Sequence, residues 1–384
     1  MKNAGVILKT VERCNINCTY CYYFNKADQS WRNRKPYISM EMVDRFNEFI
    51  VQGIQELGVT DLLIEFHGGE PLLQKKAHFI QMCQKIQETV SKSNLNNIRF
   101  ALQTNGMLID KEWISIFKEY DVGIGISLDG IKSLNDTYRL DRKGNGTYDK
   151  VVSKIRLCQE NEYKFGLLSV INPEANGGNV YNHFTKELKL DHFDFLLPDA
   201  NYGELPTYPP EKYGQFMTEV FDEWIKENSD NPRVFIRYCV NALELFYGNY
   251  SRVEGFGKRS PLVLPLICVS NNGDLGPLDD LRTCVPHKFT EYNIENVSWS
   301  EFLSDEFFTN FLAGMENSPD GCRQCCYESI CRGGNYGNRF NPINSSFNNP
   351  SVYCKGLKLF WERIIEFLLR NGFSTERLKQ VLLE

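Results

Sequence analysis

Apolar residues in the first half of the chain follow two alternating rhythms. Short runs rich in aliphatic and β-branched residues predict strands at Ala4–Lys9, Asp61–Phe66, Asn97–Gln103, Val122–Ser127, Lys164–Ile171 and His192–Leu197. Between them the spacing becomes helical. Ser39 can cap a helix with Met42, Phe46, Ile50 and Ile54 on one face. Phe79, Ile80, Cys83 and Ile86 mark a second helix, and Trp113, Ile114, Ile116 and Phe117 a third. Val151, Val152, Ile155 and Cys158 mark a fourth. Strands that alternate with helices imply an α/β fold with a parallel sheet. Six such units predict a partial, open (β/α)6 barrel, whose chemistry would gather at the carboxyl ends of the strands.

Beyond a helical stretch at Pro210–Glu227 the periodicity weakens. From Ser251 to Pro350, glycine, proline and asparagine are frequent, so this region has little core of its own. Its concentrated cysteines suggest that metal clusters supply the missing stability. Lys355–Leu369 reads as an amphipathic helix carrying Leu359, Trp361, Ile364 and Phe367. The expected organisation is a barrel over residues 1–235, a linker and cysteine-rich domain over 236–354, and a C-terminal helix over 355–384.

The 384 residues are 42% hydrophobic and 13% aromatic, enough for a large buried core, and the net charge is −6. No long basic run points to nucleic acid. No stretch approaches the roughly 20 apolar residues of a membrane span. The first residues lack the apolar region of a signal peptide, so a cytoplasmic protein is expected. In that setting thirteen cysteines argue against a disulfide framework. Three lie at 14–21 and seven between 268 and 354; Cys83, Cys158 and Cys239 stand apart. Cys83 and Cys158 occupy apolar helix positions and read as core thiols.

Cys14-x-x-x-Cys18-x-x-Cys21 carries the most chemistry. Three thiolates on one loop can hold three irons of a cubic iron–sulfur cluster and leave the fourth open. A zinc site is the alternative for such thiols. The segment Glu12–Tyr23 closely resembles the signature of radical S-adenosylmethionine (SAM) enzymes. The resemblance implies a [4Fe–4S] cluster whose open iron binds the SAM amino and carboxylate groups, with Tyr20 beside the adenine. It also implies that SAM, reduced there, yields methionine and a 5′-deoxyadenosyl radical.

After the second strand, Gly68-Gly69-Glu70-Pro71 pairs two glycines that permit close backbone approach with an acid able to receive an ammonium. It is similar to the Gly-Gly-Glu-Pro segment that contacts the SAM amino group in the family. Gln103-Thr104-Asn105-Gly106 and Ser127-Leu128-Asp129-Gly130 close the third and fourth strands and resemble family segments that face SAM or substrate. Asn105 is a candidate there, and Ser127 is expected at the SAM ribose or carboxylate. Asp129 could bind a ribose hydroxyl, orient substrate or shape the turn. Arg139 could bind the SAM carboxylate or form a surface salt bridge. Ser169 is a weaker candidate.

Cys322-x-x-Cys325-x5-Cys331, with Cys354 later, can complete a second cluster with no open iron; zinc is again the alternative. This arrangement resembles the SPASM module of radical SAM enzymes that modify peptides. Many members have a further cysteine where this chain has Asn335, and another where it has Leu278. Cys268, Cys284 and Cys326 remain as candidate ligands, so one or two auxiliary [4Fe–4S] clusters are expected. Asp279 falls at the family's acidic position, which in anaerobic sulfatase maturases acts as a base. A turn aspartate is the competing reading.

Phe193–Ala200, Cys325–Gly334 and Cys21–Asn25 resemble the cyclophane-forming (triceptide) maturases of ribosomal peptides. The resemblance implies abstraction of a β-hydrogen from a precursor peptide and a bond between an aromatic ring and that carbon. Sulfatase maturases, which oxidise Cys or Ser to formylglycine, and thioether-forming maturases are the alternatives. A non-catalytic iron–sulfur carrier is the reading of another class. Implied partners are a ribosomal precursor peptide and a reducing donor such as flavodoxin or ferredoxin. The cluster loop begins too early for a preceding leader-recognition domain, so a separate recognition protein is a further candidate.

Overall fold

The computed structural model describes residues 2–93, 95–228 and 233–383. The chain forms two compact units that interleave in sequence. The first contains Met1–Leu128, Asn135–Leu167 and Pro261–Thr309; the second contains Asp129–Leu134, Leu168–Ser260 and Asn310–Glu384. These boundaries cut the chain differently from a linear division at 235 and 354.

The strands in chain order are β1 (Asn3–Val11), β2 (Asp61–Gly68), β3 (Asn97–Thr104), β4 (Val122–Ser127), β5 (Phe165–Val170), β6 (His192–Leu196), β7 (Phe235–Ile236), β8 (Ile267–Val269), β9 (Asp274–Gly276) and β10 (Tyr292–Asn293). In the first unit β1 to β4 lie side by side in parallel, with Val6 opposite Ile64, Ile64 opposite Phe100 and Leu102 opposite Ile124. Val6, Leu8, Ile64, Phe66 and Leu102 are buried because helices cover the apolar face. Late in the chain β8 returns to pair in parallel with β1, and β9 and β10 continue antiparallel. In the second unit β6 pairs in parallel with β7. The α/β class and parallel sheet read from the sequence are the fold observed.

Local chemistry sets the helix ends. The Ser39 side chain accepts a hydrogen bond from Met42 N–H, opening the helix Met40–Leu57, and Gly58 closes it in the left-handed conformation. In the second unit the helix Cys354–Arg370 buries Leu357, Phe360, Trp361, Ile364 and Leu368, while Leu359 is exposed. The buried face is therefore offset from the one expected. Gly356 sets this face: a Cβ there would lie 2.1 Å from the Pro210 carbonyl oxygen on the neighbouring helix Pro210–Asn228. Among the described residues, no helix is long and apolar enough to cross a membrane.

The feature that positions the site is a backbone crossing at the ends of β1 and β2. Gly69 N–H donates to the Val11 carbonyl (2.7 Å) and Glu70 N–H to the Arg13 carbonyl (2.8 Å). Gly68 has φ +134°, a conformation that glycine alone adopts readily. A Cβ on Gly68 would sit 2.2 Å from the Val11 oxygen, and one on Gly69 2.2 Å from the Arg13 oxygen. The paired glycines thus admit the protein's own backbone just before Cys14. Gly69→Ala is expected to lower stability by about 1–3 kcal/mol in urea unfolding, because this backbone cannot yield as a side chain would. Bound iron should fall with it.

Candidate functional site

The loop after β1 carries Cys14, Cys18 and Cys21. It is pinned on both flanks within the first unit. Asn17 N–H donates to Leu140 O (2.8 Å) and Thr19 N–H to Tyr138 O (3.0 Å). Arg142 Nε donates to the Cys14 carbonyl (2.8 Å), and Asn25 Nδ2 to the Cys18 carbonyl (2.8 Å). Asn105 Nδ2 lies 3.6 Å from Cys14 Sγ and 2.8 Å from Asn15 Oδ1. Burial, then the charge of Glu70, pushes the Cys14 thiol up to about 12. Metal binding there must displace protons, as thiolate ligation requires. Among the described residues no three His, Cys, Asp or Glu side chains converge on one ion. A multi-iron cluster needs no such convergence, because each thiolate takes a different iron. Three thiols on one loop match the three protein-held irons of a cubic cluster whose fourth iron is open.

Glu70 is fully buried. Its Oε1 accepts from Leu72 N–H (3.0 Å) and Thr104 Oγ1–H (2.8 Å), and its Oε2 from Asn105 N–H (2.8 Å). Burial raises its pKa, and these three donors oppose the rise. The carboxylate thus ties the end of β2 to the end of β3, and Oε2 retains capacity for one more donor. That residual capacity suits an ammonium group. Gln103 Nε2 donates to Ser127 Oγ (2.8 Å), which joins the ends of β3 and β4. Buried Arg139 donates through Nη1 to Tyr20 Oη (2.8 Å), so these two candidates stand together beside the cysteine loop. Asp129 belongs to the second unit, where its Oδ1 accepts from Val170 N–H (3.0 Å). Ser169 is buried in the same unit.

Asp279 sits in a buried charge network. Its Oδ2 accepts from Lys9 Nζ and from Tyr22 Oη, and its Oδ1 from Arg282 Nε (2.8 Å). Lys9 Nζ also lies 3.3 Å from His67 Nδ1, which accepts from Gly68 N–H (2.9 Å). Burial, then the Lys9 charge, lowers the His67 pKa to about 3. Arg282 is fully buried and reaches Asp28 Oδ2 at 2.5 Å. Its guanidinium lies 4.0 Å from the Phe289 ring centroid and 5.2 Å from that of Tyr23. Burial alone would raise the Asp279 pKa, but Lys9 and Arg282 overcome it and hold the carboxyl well below the usual range. Cys268 Sγ lies 3.3 Å from Asp279 Oδ1 and 3.4 Å from Arg282 Nη2. Cys284 is buried beside Thr283, with 3.6 Å between Sγ and Oγ1.

Sequence reasoning did not single out Lys9, Tyr22, His67, Asp28 or Arg282. A usable signal was present in Lys9, a cation within the apolar run of β1, since a fully buried lysine requires a buried partner. In the second unit Cys322, Cys325, Cys331 and Cys354 line one cavity together with Glu328 and Lys358. Cys326 is exposed and does not line it. Burial, then the neighbouring thiols, pushes the Cys322 thiol up to about 11. Four thiols around one cavity fit a closed cluster.

Removing the central cation tests the Asp279 network. Arg282→Ala leaves Asp28 without its ion-pair partner and Asp279 with one fewer. It is expected to cost about 3–5 kcal/mol in urea unfolding. Arg282→Lys should recover only part of this, because one ammonium cannot span both carboxylates as the planar fork does.

A family model described as the radical SAM superfamily matches residues 8–182. The cysteine-type anaerobic sulfatase-maturating enzyme of Clostridium novyi is 28% identical over 383 residues, covering 96% of this chain and 97% of that relative. The serine-type anaerobic sulfatase-maturating enzyme of Bacteroides thetaiotaomicron is 25% identical, covering 92% of this chain and 87% of the relative. The solved structure of anSMEcpe with bound AdoMet and the Cp18Cys peptide has a TM-score of 0.80 and 25% identity. It covers 97% of this chain and 100% of that one.

These relatives overturn the expectation of cyclophane formation. The segments that carried it are scaffold. Phe193 and Phe195 are core side chains, Cys325 and Cys331 line the thiol cavity, and Cys21 belongs to the cluster loop. Such segments serve the core and the thiol groups, so they do not discriminate one peptide substrate from another. With a family-model match that spans the cysteine loop and relatives of the same length and fold, the chain is an enzyme that acts through radical SAM chemistry, with S-adenosylmethionine and [4Fe–4S] as its cofactors.

Proposed function

We propose that this enzyme matures a sulfatase-type peptide, oxidising a cysteine or serine side chain to formylglycine. The observation that carries this reading is the similarity to sulfatase-maturating enzymes over nearly the full length of both chains, including a relative solved with AdoMet and a peptide. Cys14, Cys18 and Cys21 would hold the cluster that binds SAM. Glu70 would take the SAM ammonium on its spare Oε2 capacity, and Tyr20, Asn105, Ser127 and Arg139 would line the rest of that site. SAM at a reduced cluster supplies hydrogen-atom abstraction from the substrate carbon. A flavodoxin or ferredoxin would serve as the reducing partner.

The chain's own contribution to the oxidation is proton acceptance at Asp279. Oxidising the side chain to the carbonyl level removes a hydrogen atom, a proton and a second electron, for which the auxiliary cluster that Cys322, Cys325, Cys331 and Cys354 would hold would supply the acceptor. Lys9 and Arg282 keep Asp279 ionised across any working pH, so the acceptor is always ready. The same cations make it a weak base. A weak base suffices where loss of an electron has already made the departing proton strongly acidic. Tyr22 and Lys9, both bonded to the carboxylate, fix its orientation.

Two measurements test this reading. A synthetic peptide spanning a sulfatase active-site cysteine, incubated anaerobically with SAM and reductant, should lose two hydrogens and exchange sulfur for oxygen in its mass. The serine peptide should lose two hydrogens. Deoxyadenosine without either change would overturn the substrate assignment. Asp279→Asn should lower kcat by about 10²–10⁴-fold while deoxyadenosine formation persists. An unchanged kcat would remove Asp279 from the chemistry.

A further inference from the structure

We infer that this chain carries two [4Fe–4S] clusters and not three, because a buried ion network has taken over the thiol that a first auxiliary cluster would use. Seven of the thirteen cysteines are grouped at the loop Cys14–Cys21 and around the cavity of Cys322, Cys325, Cys331 and Cys354. Cys83, Cys158 and Cys239 are fully buried on the helices Lys76–Val90, Tyr148–Glu160 and Arg237–Leu245. Cys326 is exposed in the second unit. Cys268 and Cys284 are left, so a further cubic cluster, which takes three or four thiolates, would have to include Cys268 even if it drew on Cys326.

Cys268 is committed elsewhere. Its sulfur, fully buried, touches the Asp279 carboxylate and the Arg282 guanidinium. Arg282 is itself fully buried, bridges Asp279 and Asp28, and is covered by the rings of Phe289 and Tyr23. Seating a cluster on Cys268 would drive this guanidinium off two carboxylates and leave buried charges without partners, which is strongly unfavourable. Leu278 and Asn335, at positions where the family resemblance expects cysteine, agree with the same conclusion. In this enzyme the positive partners of Asp279 are therefore side chains, Lys9 and Arg282.

The inference rests on the cluster assignments made above and is independent of the substrate. It is tested by counting iron and acid-labile sulfide in the anaerobically reconstituted full chain, with Mössbauer spectra to count only iron in cubic clusters. About 8 irons per chain are expected, and about 12 would overturn the inference. Cys268→Ser, which keeps a hydroxyl toward Asp279, and Cys284→Ala should leave the count unchanged; loss of about a third of the iron in either would also overturn it. Joint replacement of Cys14, Cys18 and Cys21 by Ala should remove about half of the iron, as should replacement of Cys322, Cys325 and Cys331. If a triple variant kept all its iron, the assignment of that group of thiols would fail, whatever the total.

Discussion

The candidate site depends on one steric constraint, the contact between the backbone of Val11–Arg13 and that of Gly68–Glu70. Two strands that neighbour each other in a parallel sheet normally diverge once their ladder ends. Here two further backbone hydrogen bonds carry the pairing past the strands, and only glycine leaves room for them. The cysteine loop starts at the next residue, so its first thiol is fixed relative to the sheet. Glu70 then extends the same brace to β3 through Thr104 and Asn105, and the Asn105 side chain returns to Asn15 and Cys14. The loop is held by these bonds from strand ends together with those from Tyr138, Leu140 and Arg142 on its other flank.

A second layer of order lies beneath the loop. Lys9, Asp279, Arg282 and Asp28 alternate in sign through a region that excludes water. Tyr23 adds its ring to Arg282 and its hydroxyl to Glu12, and Arg34 bridges toward Asp274. Low dielectric makes each pair strong and each unpaired charge costly, so the network holds only as a whole. It fastens the returning segment β8–β9 and its following helical turn to the first strand. The proton acceptor proposed at Asp279 would thereby be held by the same residues that hold the fold.

Much of this enzyme was legible in the chain. The six principal strands lie within a residue or two of their expected positions, because alternating strand and helix periodicities are strong local signals. The three-thiol loop, the Gly-Gly-Glu segment and the four-thiol group are likewise local in spacing or in composition. Other features were less visible. The helix Cys354–Arg370 buries Leu357 and Phe360, while Leu359 faces outward, since the close approach at Gly356 decides which face turns inward. The glycines after β2 admit backbone, not only ligand. The substrate class was misjudged, because the segments used to infer it serve the fold.

The sequence by itself determined the local patterns: which stretches become strand or helix, where thiols cluster, and which glycines and acids follow a strand. Each depends on residues near one another in the chain. Tertiary structure alone decided that Lys9 meets Asp279, 270 positions away, and that Arg282 meets Asp28 across 254. It also decided that Cys268 faces a guanidinium. Those pairings arise when β8 comes to lie beside β1, a contact with no local signature. Burial then makes them obligatory, since a charge removed from water must find its opposite wherever the fold places it.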